Sequence, residues 1–161
     1  SMGGYIALLL LLKDLARPPI ERRICGLVLI APAWDMTERL MWARFPETVR
    51  RQIAETGVYM RPSVYGDGDY PITRGLIEDG RRHLIGSRPF DPGVPVRIMH
   101  GLLDPDVPWE HALDLEALLH GDMTRVVAVP DGEHRLSRPE DLALLFELVD
   151  EVVGLAAGQP T

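Results

Sequence analysis

Three residues of this chain form a set that could carry out nucleophilic acyl transfer: Ser1, Asp104 and His134. A histidine can take the proton from a serine hydroxyl as that oxygen attacks a carbonyl, and an aspartate can hold the imidazole in the required tautomer. The three residues occur along the chain in the order serine, aspartate, histidine. Their chemistry suits acyl transfer from a carbonyl substrate through an acyl-enzyme intermediate.

The serine lies in a sequence that favours a sharp strand-to-helix turn. Residues 1–4, Ser-Met-Gly-Gly, run directly into an apolar stretch at 5–12. They fit the second half of a Gly-x-Ser-x-Gly turn, which holds a serine hydroxyl at the carboxyl edge of a sheet. Gly3 and Gly4 would leave the room that this turn needs, and the backbone N–H of Met2 would stabilise the oxyanion. The Gly-x and the strand that should precede the serine are absent, so we interpret the sequence as the C-terminal half of a larger enzyme.

Two other interpretations of Ser1 remain open at this point. Ser-Met can be a cloning remnant before a start methionine, and such residues carry no information about the fold. A free N-terminal serine can also act as a nucleophile with its own amine as the base. The acid and base farther along the chain favour the strand-to-helix turn, because they occur in the order that such a serine requires.

The candidate acid and base each follow a stretch that predicts a strand. Asp104 comes shortly after the apolar stretch 94–100, and His134 comes shortly after 125–129. In a parallel sheet, functional residues gather where the strands end, so an aspartate and a histidine in neighbouring loops can meet. Asp106 is a competing acid, because it lies close beyond Asp104 and could reach the same histidine or cap the next helix. We favour Asp104.

The other titratable side chains give weaker signals. His100 stands at the end of a predicted strand, which favours a structural histidine. The remaining histidines are expected to be solvated or half-buried on predicted helices: His83, His111 and His120. Arg135 could bind a substrate carboxylate, although a surface position suits it better. The sequence has no cysteine pair, no His-Glu-x-x-His and no acidic calcium loop, so neither a metal nor another cofactor is expected.

Hydrophobic periodicity predicts an α/β fold with parallel strands. Short runs of branched apolar residues indicate buried strands, whereas apolar residues at helical spacing indicate amphipathic helices. The predicted strands cover 24–30, 94–100 and 125–129, and the predicted helices cover 3–16, 109–120 and 138–153, followed by a frayed tail at 154–161. Alternation of strand and helix with short connections is typical of a right-handed parallel layer.

Residues 33–93 interrupt this alternation. They predict helices at 35–44, 46–56 and 73–84, an extended piece at 57–65 and a turn at 66–69, with Asp35 as a helix N-cap and Pro46 in a first turn. A connection of about sixty residues is too long for a plain loop. We interpret it as a helical cap over a substrate pocket, with extra surface packing as the alternative. The expected pocket residues are Trp34, Trp42, Tyr59 and Met60.

Composition narrows the classes of function. The formal net charge is −7, which disfavours a nucleic-acid partner, because such proteins carry basic surfaces. The apolar run 8–12 is far shorter than the roughly 20 residues of a membrane span and has no basic leader, so we expect a cytoplasmic protein without a membrane span. The single cysteine, Cys25, is expected to be a structural core thiol. Sixteen arginines against one lysine suggest a bacterial source.

These motifs together resemble the α/β-hydrolase family over nearly the whole chain. The resemblance rests on Ser-Met-Gly-Gly at 1–4, on His-Gly-x-x-Asp-x-x-Val-Pro at 100–108 and on Gly-Glu-His at 132–134. Residues 57–65 and the surroundings of the acid at 98–109 are similar to one subgroup, the palmitoyl-protein thioesterases and acyl-glucuronide esterases with their bacterial relatives.

The resemblance implies an incomplete α/β-hydrolase, with its N-terminal strands missing, that cleaves esters or thioesters of small molecules or acylated proteins. Ser1 would be the nucleophile, Asp104 the acid and His134 the base. A second oxyanion donor would come from an earlier loop that this sequence lacks, so the chain by itself would be a poor catalyst. A serine peptidase-like enzyme and a non-catalytic ligand-binding module are alternatives. The strand at 24–30 would be an exposed sheet edge through which the chain could self-associate.

Overall fold

A computed structural model describes residues 1–63 and 68–158 of the chain. In chain order, its main elements are α1 (Met2–Leu15), β1 (Leu27–Ile30), α2 (Glu47–Thr56), β2 (Val58–Arg61), β3 (Tyr70–Thr73), α3 (Arg74–Gly80), β4 (Val96–Gly101), α4 (Trp109–Leu118), β5 (Thr124–Val129) and α5 (Pro139–Ala157). The chain forms two compact units: one contains Ser1–Trp34 and the residues from Ser87 onward, and the other contains Asp35–Gly86. No helix in the described ranges is long and apolar enough to cross a membrane.

The first unit is built on a three-stranded parallel sheet with the order β1-β4-β5. In the central strand, Ile98 lies between Leu29 of β1 and Val126 of β5. Every residue of β4 is buried, because strands flank it on both sides and helices α4 and α5 pack against it. The predicted α/β fold with parallel strands is therefore confirmed.

Strand β1 is shorter and less buried than the sequence predicts. The apolar run 24–30 predicts a strand buried on both faces, but the strand begins at Leu27 and only its Leu29 is fully buried. In the described sheet, β1 has a neighbouring strand on one side only. Cys25 lies just before the strand and is exposed, so the expectation of a core thiol is wrong. Apolar composition alone does not distinguish a central strand from an edge strand.

Helix α1 confirms the predicted helix at 3–16 within one residue at each end. Tyr5, Leu8 and Leu11 recur every three residues, which places them on one buried face. At the end of the helix, the Asp14 carboxylate accepts hydrogen bonds from the backbone N–H groups of residues 23 and 24, both at 2.9 Å. This carboxylate fixes the path by which the chain returns to β1.

Helix α5 is longer than predicted. The sequence predicts a frayed tail from residue 154, but the helix continues to Ala157, so the prediction is wrong up to that point. Residues 159–161 lie outside the described part of the chain.

A pair of arginines joins α5 to the sheet. Arg97 of β4 has a side chain only 7% exposed and donates to Glu151 of α5 at 2.8 Å. Arg125 of β5 donates to the other carboxylate oxygen of Glu151 at 2.9 Å. The hydrogen bond from Arg97 holds the pKa of Glu151 below its ordinary value despite partial desolvation. One carboxylate thus compensates a buried guanidinium and a surface one.

Replacing Glu151 with alanine should destabilise the fold, because it leaves the buried charge of Arg97 without its carboxylate. We expect the free energy of unfolding to fall by about 1–3 kcal/mol, the usual cost of an unsatisfied buried polar group. Chemical denaturation measures this change. The exposed Glu147 lies one turn earlier on the same helix, so Glu147→Ala is the matched control. Equal effects of the two substitutions would contradict the role of Glu151.

The second unit, Asp35–Gly86, contains an antiparallel hairpin and a small core of its own. Strands β2 and β3 pair so that Tyr59 lies opposite Ile72. The buried core residues are contributed by the hairpin and by its helices: Met41, Ile53, Ile72 and Ile77. The sequence interpretation misses β3, because Pro71 lies within it and proline is usually confined to edge strands or strand starts.

The sequence predicts that Asp35 caps a helix, but its carboxylate instead joins the two ends of this unit. Its carboxylate accepts the N–H of Ile85 at 2.7 Å and the N–H of Gly86 at 2.9 Å. The N-cap prediction is therefore wrong. A wide helical turn at Thr37–Met41 and a tight one at Trp42–Arg44 replace the single helix expected there.

The other boundaries predicted within the second unit agree in part with the structure. The predicted helix at 46–56 is confirmed as α2, which begins immediately after Pro46, and the predicted helix at 73–84 divides into α3 and a tight turn at Arg81–His83. The extended piece is confirmed as β2. Residues 64–67, which include half of the turn predicted at 66–69, lie outside the described part of the chain.

Candidate active site

Asp104 lies in the turn that follows β4, and its side chain is fully buried. One carboxylate oxygen, Oδ1, accepts the backbone N–H groups of Asp106 at 2.8 Å and Val107 at 2.9 Å. The other oxygen, Oδ2, lies 2.7 Å from Nδ1 of His134. An aspartate that binds its own backbone two residues ahead is typical of such turns. The turn therefore fixes one oxygen and directs the other toward the imidazole.

Opposing effects determine the protonation of Asp104. Burial raises the pKa of its carboxyl group, but the hydrogen bonds from His134, Val107 and Asp106 together outweigh burial and leave the pKa below its ordinary value. The carboxylate is therefore ionised near neutral pH and can only accept hydrogen bonds. The structure pairs Asp104 with His134 through a hydrogen bond, whereas Asp106 contributes its backbone N–H to the same turn.

His134 lies in the loop between β5 and α5, with a side chain 17% exposed. Because the Asp104 carboxylate only accepts, Nδ1 of the imidazole carries the proton and donates it. In the neutral ring, Nε2 then has a free lone pair and can act as a base. This is the tautomer that a serine nucleophile requires.

Two glycines allow the turn that carries Asp104 (the acid turn) and the loop that carries His134 (the base loop) to touch. A Cβ on Gly101 would collide with the carbonyl oxygen of Gly132, so no larger residue fits there without movement of the backbone. Leu103 donates its N–H to that same carbonyl at 3.0 Å, and Leu102 donates to the carbonyl of Val129 at 3.0 Å. The loops that carry Asp104 and His134 are therefore fixed to each other through their backbones.

Arg138 fixes the C-terminal end of the loop that carries His134. Its guanidinium donates to both oxygens of Asp131, at 2.7 and 3.1 Å, and to both oxygens of Asp141, at 3.0 and 2.8 Å. Hydrogen bonds from Arg138 lower the pKa of each carboxyl group, and they raise the pKa of the guanidinium further. Within the loop, Leu136 is buried with φ at 43°, a backbone conformation that is uncommon outside glycine. The sequence interpretation misses this clamp, although the spacing of Arg138 and Asp141 suits a capped helix start.

Replacing Arg138 with lysine should loosen the base loop, because lysine keeps the positive charge but lacks the planar fork that binds two carboxylates. If His134 acts as a base, labelling of the site by a fluorophosphonate should slow roughly tenfold, since small misplacements of a catalytic group are costly. The exposed Arg88 provides the matched control, Arg88→Lys, with no change expected. An unchanged rate for Arg138→Lys would show that the clamp does not position His134.

Ser1 lies where β1 ends and α1 begins. Its amino group donates to the carbonyl of Ile30 at 2.7 Å, and its carbonyl accepts the N–H of Ala33 at 3.2 Å. The side chain of Ser1 forms no capping hydrogen bond with α1, which leaves its hydroxyl uncommitted to the helix.

The two glycines after the serine differ in what they permit. A Cβ on Gly4 would approach Pro32 within 2.9 Å, so this glycine lets α1 lie close to the segment after β1. Gly3 has no atom within 4 Å of that position among the described residues, so the structure does not require a glycine there. The N–H of Met2 is the first of α1, and the first N–H groups of a helix have no acceptor within it.

The residues that the sequence assigns to a substrate pocket fall in both compact units. Trp34 belongs to the first unit, where it is 1% exposed, donates its indole N–H to the carbonyl of His111 at 3.0 Å and stacks on that ring. The expectation that His111 is solvated or half-buried is therefore wrong, since its ring is held inside the unit. In the second unit, Trp42 lies under Arg81, Tyr59 packs edge-on against Phe45, and Met60 is 46% exposed. A pocket formed by these residues stays a prediction.

Asp104, Asp106 and His134 also bring three potential metal-ligand atoms within 4.8 Å of one another. Asp104 already uses one oxygen for two backbone N–H groups and the other for His134. A cation would have to displace the hydrogen bond between Asp104 and His134. This hydrogen bond accounts for the closeness of Asp104 and His134, and the turn that joins Asp104 to Asp106 brings the third residue beside them, so we assign no metal to this group.

Solved structures resemble this chain closely. It matches the crystal structure of a "putative hydrolase" from Agrobacterium vitis S4 with a TM-score of 0.88 and 39% sequence identity, covering 94% of this chain and 58% of that one. It matches α/β hydrolase domain-containing protein 10 from mouse with a TM-score of 0.80 and 26% identity, covering 96% of this chain and 59% of that one.

Sequence comparison finds relatives of the same kind. The chain is 28% identical over 154 residues to palmitoyl-protein thioesterase ABHD10, mitochondrial, of Mus musculus, which covers 95% of this chain and 50% of that protein. The corresponding human protein is 25% identical over 154 residues, with 48% of it covered. The chain thus spans about half the length of the curated relatives it matches. No protein-family model matches the chain.

Proposed function

Because the chain belongs to the α/β-hydrolase superfamily, we propose that it carries the catalytic group of a serine hydrolase that cleaves carboxylic esters or thioesters. In this proposal Ser1 is the nucleophile, His134 the general base and Asp104 the acid. The observation that carries it is the 2.7 Å hydrogen bond between a buried, ionised Asp104 and His134 at the carboxyl edge of the sheet. The hydroxyl of Ser1 is not committed to capping α1, which begins at the same edge.

The reaction would proceed in two acyl-transfer steps. Nε2 of His134 accepts the proton of the Ser1 hydroxyl as Oγ forms a bond to the substrate carbonyl carbon. Asp104 stabilises the imidazolium, and the N–H of Met2 donates to the oxyanion. The imidazolium then protonates the leaving alcohol or thiol, and the ester or thioester bond breaks. Water, activated by the same histidine, releases the acid and restores Ser1.

The substrate in this proposal carries an apolar acyl group on a small molecule or a protein. Leu102 and Leu103, which adjoin the acid turn, are 43% and 62% exposed, so apolar surface is available beside the site. The relatives named palmitoyl-protein thioesterase favour a thioester of this kind. The helical cap that the sequence predicts at 33–93 stays a prediction.

Reaction with a fluorophosphonate tests the proposal directly. We expect a covalent adduct of one probe per chain by intact-mass measurement, and its loss in Ser1→Ala. The two serines Ser63 and Ser137 serve as controls, since Ser63→Ala and Ser137→Ala should still be labelled. Labelling that persists in Ser1→Ala, or no labelling of the parent chain, would contradict the proposed function. Saturable binding of an apolar acid without labelling would favour a ligand-binding module instead.

Strand β1 supports a further part of the proposal, that the chain self-associates. The strand is paired on one side only in the described sheet, and the groove beside it is lined by Cys25, Val28, Val149 and Val152. An unpaired apolar edge is a template for pairing with another chain. We expect the mean molecular mass of the parent chain, measured by light scattering, to rise with protein concentration. For Val28→Lys it should rise less. A concentration-independent monomer would contradict this expectation.

A further inference from the structure

His100 is a fully buried histidine that the proposed reaction does not use. It lies on β4 opposite Ala128 of β5, and its side chain is 0% exposed. Its Nε2 lies 2.9 Å from the carbonyl oxygen of Val107. A carbonyl can only accept, so Nε2 carries the proton and donates it. Nδ1 is buried and has no hydrogen-bond partner among the described residues.

Val107 connects this histidine to the acid. The C=O of Val107 accepts from His100 at 2.9 Å, and the N–H of the same residue donates to Oδ1 of Asp104 at 2.9 Å. Both polar groups of one residue are therefore occupied, one by each side chain. The C=O belongs to the peptide group after the Cα of Val107 and the N–H to the peptide group before it, so the two bonds fix the backbone on both sides of this residue. Loss of the first bond would release one side and loosen the turn that orients the Asp104 carboxylate.

His100 also lies close to the oxygen that His134 uses. Its Nε2 is 3.8 Å from Oδ2 of Asp104, against 2.7 Å for Nδ1 of His134. The bond to Val107 directs the proton of His100 away from this oxygen. Burial lowers the pKa of His100, although the Val107 carbonyl and Asp104 act in the opposite direction. A neutral His100 leaves the charge of Asp104 available to His134.

We infer that His100 is a positioning residue for the acid: it holds the carbonyl of Val107, and thereby the turn that directs Oδ2 of Asp104 toward His134. The inference rests on the proposed function for the meaning of this orientation. The contact itself is independent of the reaction. A role in packing alone is the competing explanation, since the ring also lies edge-on to Trp109, with 5.9 Å between ring centroids.

Three substitutions of His100 separate the two explanations. In His100→Gln, the side-chain amide nitrogen can occupy the place of Nε2 and donate to Val107. In His100→Asn, the amide nitrogen lies near the place of Nδ1 and cannot reach that carbonyl. In His100→Phe, the ring volume is kept without any donor. Thermal unfolding establishes which variants fold, and fluorophosphonate labelling rates report on the site.

The low-field proton resonance of the His134 Nδ1–H group gives a second measurement that does not depend on catalysis. We expect His100→Gln to retain this resonance and to be labelled within about threefold of the parent chain. His100→Asn and His100→Phe should weaken or lose the resonance and be labelled roughly ten- to a hundredfold more slowly, the scale of a misplaced catalytic group.

The inference would be overturned if His100→Phe and His100→Asn were labelled at the rate of the parent chain and kept its resonance. His100 would then be a packing residue. If His100→Phe does not fold, the comparison of Gln with Asn decides the question alone. Failure of the proposed function looks different. In that case the parent chain shows the resonance of the His134 Nδ1–H group but is not labelled. The same resonance, measured in the three His100 variants, still decides the role of His100.

Discussion

The Gly101→Ala variant is expected to lose both stability and reactivity, because its Cβ would be driven against the carbonyl of Gly132. The loops that carry Asp104 and His134 meet at this point, so the strain falls on the contact that holds acid and base together. Overpacking of this kind costs about 1–3 kcal/mol in the free energy of unfolding. Separation of the loops by about 1 Å would slow labelling of the site roughly a hundredfold. Denaturation and labelling rates measure the two effects.

The same substitution at Gly154 provides the control. This glycine lies within α5, and no atom of the described residues outside its own helix backbone lies within 4 Å of the position a Cβ would take, so alanine fits there. Alanine is the better helix former by about 1 kcal/mol, and Gly154→Ala should therefore be neutral or stabilising. The role assigned to Gly101 is wrong if its variant is as stable and reactive as the one at Gly154.

Among substitutions that keep the proposed nucleophile, replacing Asp104 with asparagine is expected to have the largest effect on reactivity. The carboxylate accepts the proton of His134 Nδ1, whereas an amide nitrogen at that place would donate to Nδ1 and move the ring proton to Nε2. The imidazole could then no longer accept the serine proton. We expect the labelling rate to fall on the order of 10³- to 10⁴-fold with little change in overall structure.

Asp106→Asn is the discriminating comparison, because Asp106 contributes a backbone N–H to the acid turn and keeps it in the variant. Its labelling rate should stay within about tenfold of the parent. If instead Asp106→Asn is the slower variant, the acid has been assigned to the wrong aspartate.

The pH dependence of stability gives an independent check on Asp104. Its pKa in the folded chain lies below the value of about 3.9 for an unfolded chain. The ionised group therefore stabilises the fold above about pH 4, and this contribution is lost as the pH falls through the folded pKa. The difference in the free energy of unfolding between the parent and Asp104→Asn should shrink as the pH is lowered from about 6 to about 3. A constant difference would contradict the lowered pKa.

The sequence predicts that Asp104 and His134 meet, because short motifs fix their positions relative to strands. Asp104 and His134 each follow a strand, and parallel strands bring such positions to one edge. The Arg138 clamp and the contact between Gly101 and Gly132 depend on how two loops meet in space, which no spacing along the chain reveals. The same is true of His100, whose partner lies on a turn formed by the acid itself.

The fold was predictable to a similar depth. Periodicity identified the three parallel strands and the long helices, because burial of one face leaves a repeated pattern. Periodicity does not distinguish an edge strand from a central strand, so the sequence does not predict that Cys25 is exposed. It also did not reveal β3, which is short and contains a proline. The sequence predicts a helix cap at Asp35 because a cap and a loop closure both use a carboxylate that accepts backbone N–H groups.

The carboxylate of Asp35 has a consequence for how this sequence can change over time. It holds the N–H groups of Ile85 and Gly86, so the 49 residues between Asp35 and Ile85 enter and leave their unit at one point. Segments whose ends meet are the ones that tolerate insertion and exchange, because the chain on either side needs only a short bridge. We therefore expect residues 36–84 to tolerate insertion or exchange while strands β4 and β5, which precede Asp104 and His134, keep their register. Asp35 is the residue that brings the two ends of this segment together.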